Sequence, residues 1–276
     1  MRTIHRTFLC AVMTCALLMI TLARATTQEP AEQAWGILQT AATSSSSSER
    51  LAAMRVLQLL PGQAKAAQLA EQGLLDKDPS VRSSAALSLG AMKSKGSIPK
   101  LVTAVHAEKD GDVVMAYAKA LTELGDERGY EVYYAIVTGT RKSGQGLVGG
   151  QEQELNNVIR NPQQMEAMAF EQGIGFVPFG GVGFKAYQTI RSAQEKEPIV
   201  EAAAIRVLAT DPDPRTGKAL ATAATTGKSS LVRAAAYDAI ARRKEKSLLP
   251  VIKAGLSDEK TEVKVTAAAA VIRLSE

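Results

Sequence analysis

Few residues of this chain could do chemistry. Its histidines are His5 and His106, and its cysteines are Cys10 and Cys15. His5 and both cysteines fall in a segment that reads as a secretory signal peptide, residues 1–25. Arg2, His5 and Arg6 form a basic start, Phe8 to Ala23 is apolar and uncharged, and Ala23-Arg24-Ala25 is a small-x-small cleavage site. The apolar run is 16 residues, short of the ~20 that span a bilayer. Neither cysteine follows the Leu-small-small sequence of a lipoprotein. Cleavage after Ala25 and a periplasmic or secreted location are therefore expected.

Cleavage would leave 251 residues with no cysteine and His106 alone. Disulfides, thiolate metal sites and two-histidine metal sites are then excluded within one mature chain. A Ser-His-Asp arrangement would need His106 as its base, yet no Gly-x-Ser-x-Gly elbow is present. No phosphate loop of the Gly-Lys-Ser or Gly-Lys-Thr type is expected. Gly181-Val182-Gly183-Phe184-Lys185-Ala186 matches a dinucleotide fingerprint only superficially, because no strand-turn-helix unit surrounds it. No catalytic residue, cofactor or metal ligand is assigned, and the chain reads as a non-enzyme. Loss of Arg2, Arg6 and Arg24 lowers the formal charge from +5 to +2, which weakens any case for nucleic-acid binding.

The elements that would carry a binding surface are better marked. Val81–Ala85–Leu89, Val200–Ala204–Leu208, Val232–Ala236–Ile240 and Val263–Ala267–Val271 each place apolar residues at i, i+4 and i+8, one face of a helix. The last three begin 32 and then 31 residues apart, a period that implies stacked units. Asp78-Pro79-Ser80 opens a first helix, and Ile98-Pro99 opens a second after Gly90 and Gly96. Shifted by 151 residues, Leu249-Pro250 falls on Ile98-Pro99. Each unit is helix, short turn, helix.

Asp78-Pro79-Ser80-Val81-Arg82, with Ala85-Ala86 and Leu89-Gly90, resembles the HEAT-like repeat family in its short bacterial form. Leu231-Val232-Arg233-Ala234-Ala235 repeats the pattern. Val263-Lys264 keeps its apolar-then-basic pair, whereas Val113-Val114 and Val200-Glu201 depart from it. The resemblance implies an all-α fold, an α-solenoid whose second helices line a protein-binding face. Enzymes built on such repeats do not fit. The hydroxylases bind iron through His-Glu dipeptides, which are absent here.

The expected organisation is a leader, a capping helix around Trp35 and a Ser-rich flexible loop over 26–48, then HEAT-like repeats over 49–138. An insertion or degenerate repeat rich in Gly and Phe follows over 139–196. Repeats resume over 197–276 and end in a C-terminal capping helix. The expected function is an exported scaffold for a protein or peptide partner. The alternative is a membrane-associated assembly factor that contacts lipid or a membrane protein through the insertion. Candidate contact residues are Tyr130 and Tyr134 on a second helix, and Phe176 and Phe179, which either dock on the solenoid or project from it. Tyr133 aligns with Leu101 and is expected to pack inward, and His106 is expected at the surface.

Overall fold

The computed structural model describes residues 30–137 and 193–276. Among the described residues there are twelve α-helices and no strand. They are α1 (Pro30–Ala42), α2 (Ser47–Leu57), α3 (Ala64–Gly73), α4 (Pro79–Ala91), α5 (Ile98–Ala107), α6 (Gly111–Glu123) and α7 (Arg128–Val137), then α8 (Ala193–Leu208), α9 (Pro214–Thr226), α10 (Ser230–Arg243), α11 (Leu249–Ile252) and α12 (Thr261–Ser275). Short 3-10 turns, Lys95–Ser97, Lys246–Leu248 and Lys253–Ser257, flank α5 and α11.

Local chemistry sets the helix starts. The Asp78 carboxylate accepts from the Ser80 amide at 2.8 Å, with Pro79 in the first turn of α4. Asp110 caps α6 through the Asp112 and Val113 amides, and Asp213 caps α9 through that of Arg215. Pro99 and Pro250 each stand in the first turn of a second helix, where the missing N–H leaves no bond unmade. Pro198, in contrast, lies inside α8 rather than at its start.

The helices form two layers, an α-solenoid. First helices pack side by side in the order α8, α10, α12, α2, α4, α6, and each second helix lies across them. This order departs from the linear stack that the period suggests. The last helix, α12, packs against the first two, α1 and α2. Neither α1 nor α12 caps an end. Instead α1 serves as the second helix of the unit that α12 begins, so a split unit sits mid-stack and joins the two halves of the chain. Among the described residues the stack runs from the α8–α9 unit to the α6–α7 unit.

The composition of α12 follows from that position. Ala267, Ala268, Ala269 and Ala270 are all fully buried, together with Val263, Val265 and Val271 on other sides of the helix. A helix flanked by two first helices and crossed by a third has little free surface, and alanine lets the neighbours approach closely. Core side chains continue on both sides, Leu38, Leu57, Leu89 and Leu121 one way and Ile240 and Leu220 the other.

Buried ion pairs repeat at the unit boundaries. Arg50 pairs with Asp76, Arg82 with Glu108, and Arg233 with Asp258, at 2.6–2.7 Å. Each arginine also donates to two carbonyls of the turn before its own helix: Ser44 and Ser45, Asp76 and Lys77, Gly227 and Lys228. Residues 44–46 are thus a tied connector rather than a flexible linker. The arginine hydrogen bond, against the opposing effect of burial, holds the Asp76 and Asp258 carboxyls below their ordinary values. Burial works against ionisation of Glu108, but Arg82 and the amides of Lys109 and Asp110 outweigh it.

The two departures from the Val-Arg pattern now have positions. Val114 belongs to the α6–α7 unit, after which no further unit follows directly among the described residues. Glu201 lies exposed on α8, and that junction is held from the other side. Arg243 of α10 donates to the carbonyls of Leu208, Asp211 and Asp213.

Candidate functional site

The surface best placed to bind is the outer face of the second layer. Its helices point small or aliphatic residues inward and polar ones outward. On α3, Ala66, Ala70 and Gly73 are buried, while Lys65, Gln68 and Gln72 are exposed. On α5, Leu101 and Val105 are buried, and Lys100, Thr103 and His106 face out. On α9, Leu220 and Ala224 go inward, with Lys218 and Thr222 outward. On α1, Ala34, Leu38 and Ala41 go inward, with Gln33 and Gln39 outward.

Contacts between neighbouring second helices join α1, α3 and α5 on this face. Lys65 of α3 lies 5.7 Å from the centre of the Trp35 ring on α1, a cation–π contact. Trp35 is half-buried against the core, so it seams α1 to α3 in mid-stack rather than covering an end. Glu71 of α3 accepts from Ser97 at 2.7 Å and pairs with Lys100 of α5. Burial opposes ionisation of Glu71, but these two partners hold its carboxyl below the ordinary value.

Tyr130 and Tyr134, both on α7, are 60% and 75% exposed. Tyr133 between them packs against the core, as its alignment with Leu101 implies. Exposed tyrosines offer large contact area at little entropic cost. Phe176 and Phe179 lie outside the described residues, as do the 1–25 segment and the rest of the insertion.

The chemistry available is limited. His106 is exposed at the end of α5, and its Nδ1 lies 2.6 Å from the Val102 carbonyl. Among the described residues no group of His, Cys, Asp or Glu could hold a metal ion, and no helix is long and apolar enough to cross a membrane. One reading is corrected: Gly227-Lys228-Ser229 does occur, between α9 and α10. It is no phosphate loop, because Thr222 stands where the leading glycine would be, and its first two carbonyls are taken by Arg233.

Comparison with known proteins agrees with this architecture. The family described as HEAT repeats matches residues 36–131 and 189–273, more than half of the chain. The protein belongs to the HEAT-repeat family. HEAT repeats are commonly scaffolds for protein interactions. The match begins within α1, so the family pattern reaches further toward the N-terminus than the 49–138 limit. No curated relative matches the chain. An engineered protein solved by the Northeast Structural Genomics Consortium is similar at 16% identity over 88% of this chain and 96% of its own, with a TM-score of 0.27.

Proposed function

We propose that this HEAT-repeat protein is a non-catalytic, exported scaffold whose second-layer face holds a protein partner. One observation carries the reading: among the described residues, six successive units, including the split one, present an outward row of Lys, Gln, Thr and Tyr side chains over a tightly packed core. Such a row offers donors and acceptors to a chain laid across it. It offers no arrangement of nucleophile, base and oriented third group. Export rests on the basic start, the short apolar run and Ala23-Arg24-Ala25.

Site-directed photo-cross-linking in intact cells tests the reading. A cross-linker at Gln68 or Thr103 should give discrete protein adducts, and one at Ser80, exposed at the start of a first helix, should not. Adducts confined to the first layer, or none anywhere, would remove the scaffold reading. N-terminal sequencing of the exported protein should begin at Thr26. Met1 retained in a membrane fraction would remove the export reading.

A further inference from the structure

The scaffold face is electrostatically one-sided. Its second-layer segments, including the 3-10 turns, carry eight Lys and Arg against three Glu. The mature chain's expected formal charge is only +2, from +5 after loss of Arg2, Arg6 and Arg24. The positive excess is therefore concentrated on this layer. Much of the first layer's charge is used internally, in the Arg–carboxylate pairs that join its units.

Pairing sharpens the asymmetry. Lys100, Arg128 and Arg215 already have carboxylate partners. Among the described residues Lys65, Lys95, Lys218, Lys246 and Lys253 are exposed and make no ion pair, spread over four of the six units. The third glutamate, Glu71, is neutralised by Lys100, which leaves only Glu32 and Glu131 as acids on the face. Between the cations stand Gln33, Gln39, Gln68 and Gln72, whose amides can pair with a peptide backbone.

We propose that this face takes an extended, acidic segment of a partner protein, with its carboxylates on the unpaired lysines and its far end against Tyr130 and Tyr134. This inference rests on the scaffold reading and names the chemistry of its partner. Second helices about 9–10 Å apart make a track of about 45–50 Å, which an extended segment of about 15 residues covers. A protein segment fits better than a continuous polyanion. The unpaired lysines number at most two per unit and are missing from two units, far wider than the phosphate spacing of a nucleic-acid strand. Glu32 also interrupts the track at the split unit, where a peptide can place a neutral residue. Lipid fits less well, because Val251 is the one aliphatic residue among the large apolar side chains exposed on these segments.

Fluorescence anisotropy with synthetic 15-residue peptides tests this on the purified mature protein. The peptide carries Asp or Glu at alternate positions, with Gln-substituted and Lys-substituted counterparts as controls. The acidic peptide should bind at least about tenfold tighter than either control, and weaken as salt shortens the screening length. The triple variant Lys95→Glu, Lys218→Glu, Lys253→Glu should reverse the order and favour the Lys peptide, with its thermal midpoint unchanged. Two results would overturn the proposal: acidic and Gln peptides binding equally, or anionic phospholipid vesicles or a single-stranded oligonucleotide outcompeting the acidic peptide. If either occurs while adducts at Gln68 and Thr103 persist in cells, the acidic partner is wrong and the scaffold stands. If those adducts are absent, the scaffold reading itself has failed.

Discussion

Thr261 donates its hydroxyl to the Glu49 carboxylate at 3.2 Å, although 212 residues separate them. Glu49 also accepts from Ser44 at 2.6 Å and faces Lys264. Ser44 first, then Thr261, draw its carboxyl below the ordinary value against a smaller opposing effect of burial. Lys264 occupies the position that Arg50, Arg82 and Arg233 hold in other units. The boundary acid it faces comes from the opposite end of the chain. At the other end of the same seam Gln63 donates to Glu276 at 2.8 Å, across 213 residues.

The seam should hold the two halves together without a covalent link. A protease site placed within residues 138–192 and cut in the folded protein should leave one species on size exclusion, with both fragments in it. Leu38 is fully buried where α1 meets α12. Leu38→Ala should destabilise by about 2–5 kcal/mol and let the cut halves separate. Separation of the cut wild type would show that the seam is weaker than its packing implies.

Acid should weaken the unit boundaries. The folded pKa of Glu108 is lowered, so its contribution is present above the unfolded value, about 4.3, and is lost as pH falls through the lower folded value. Glu108→Gln should flatten the stability profile in that range. Arg82→Ala strands a mostly buried carboxylate, so a loss of about 3 kcal/mol is expected. Arg215, whose side chain is 91% exposed, should tolerate alanine with no change in midpoint. Equal losses at the two arginines would contradict this assignment.

Alkali should act through Tyr237. Burial, assisted by the nearby Asp258 charge and opposed by Arg233, pushes its hydroxyl up to about 12. A raised folded value gives stability that is complete below the unfolded pKa of about 10 and is lost as pH rises toward about 12. Chemical denaturation between these limits should show a falling midpoint, shallower in Tyr237→Phe. Some slope should remain, because burial also raises Tyr117 well above its ordinary value.

Space beside that ring is fully used. A Cβ on Gly255 would run into the Tyr237 ring and lie 2.6 Å from the Ala267 Cβ. Gly255→Ala should therefore cost about 1–3 kcal/mol in urea unfolding. Gly36, with open space around it, should accept alanine and gain slightly, since it lies within α1. A neutral Gly255→Ala would mean that this junction can shift.

The tyrosines separate stability from binding. Tyr130→Ser with Tyr134→Ser should leave the thermal midpoint within error and reduce the cross-linked adducts. Tyr133→Ser should lower the midpoint, because its ring packs against the core. His106→Ala should leave folding and adducts unchanged. Lost adducts with that variant would reopen the question of a histidine role.

Helix faces, caps and the two-layer pairing were legible in the sequence because each depends on spacing within about thirty residues. The Val-Arg pattern even marked the boundary clasps. The stack order was not legible, since a period relates neighbours in sequence and is silent about where the ends go. Three signals pointed to it. Among the described residues α12 is a first helix with no second helix after it in sequence. The helix around Trp35 has no first helix before it among the described residues. Four successive alanines leave α12 no polar face for a terminal position. The binding face was half legible: Tyr130 and Tyr134 stood out by residue type, whereas Lys65, Lys218 and Lys253 did not. One lysine per helix looks ordinary until the helices are aligned and the paired cations are set aside.

Joining the ends mid-stack also sets the order in which the chain can finish. An ordinary repeat array can nucleate anywhere and propagate by local contacts. Here the central unit lacks its first helix until the fifteen residues Thr261–Ser275 have been made. Until then α1 and α2 present the apolar surface that α12 will cover. Closure over more than two hundred residues adds loop entropy to the last step and raises contact order, which slows folding. Early products are therefore incomplete in the middle rather than at an end, and a nascent chain would need shielding there.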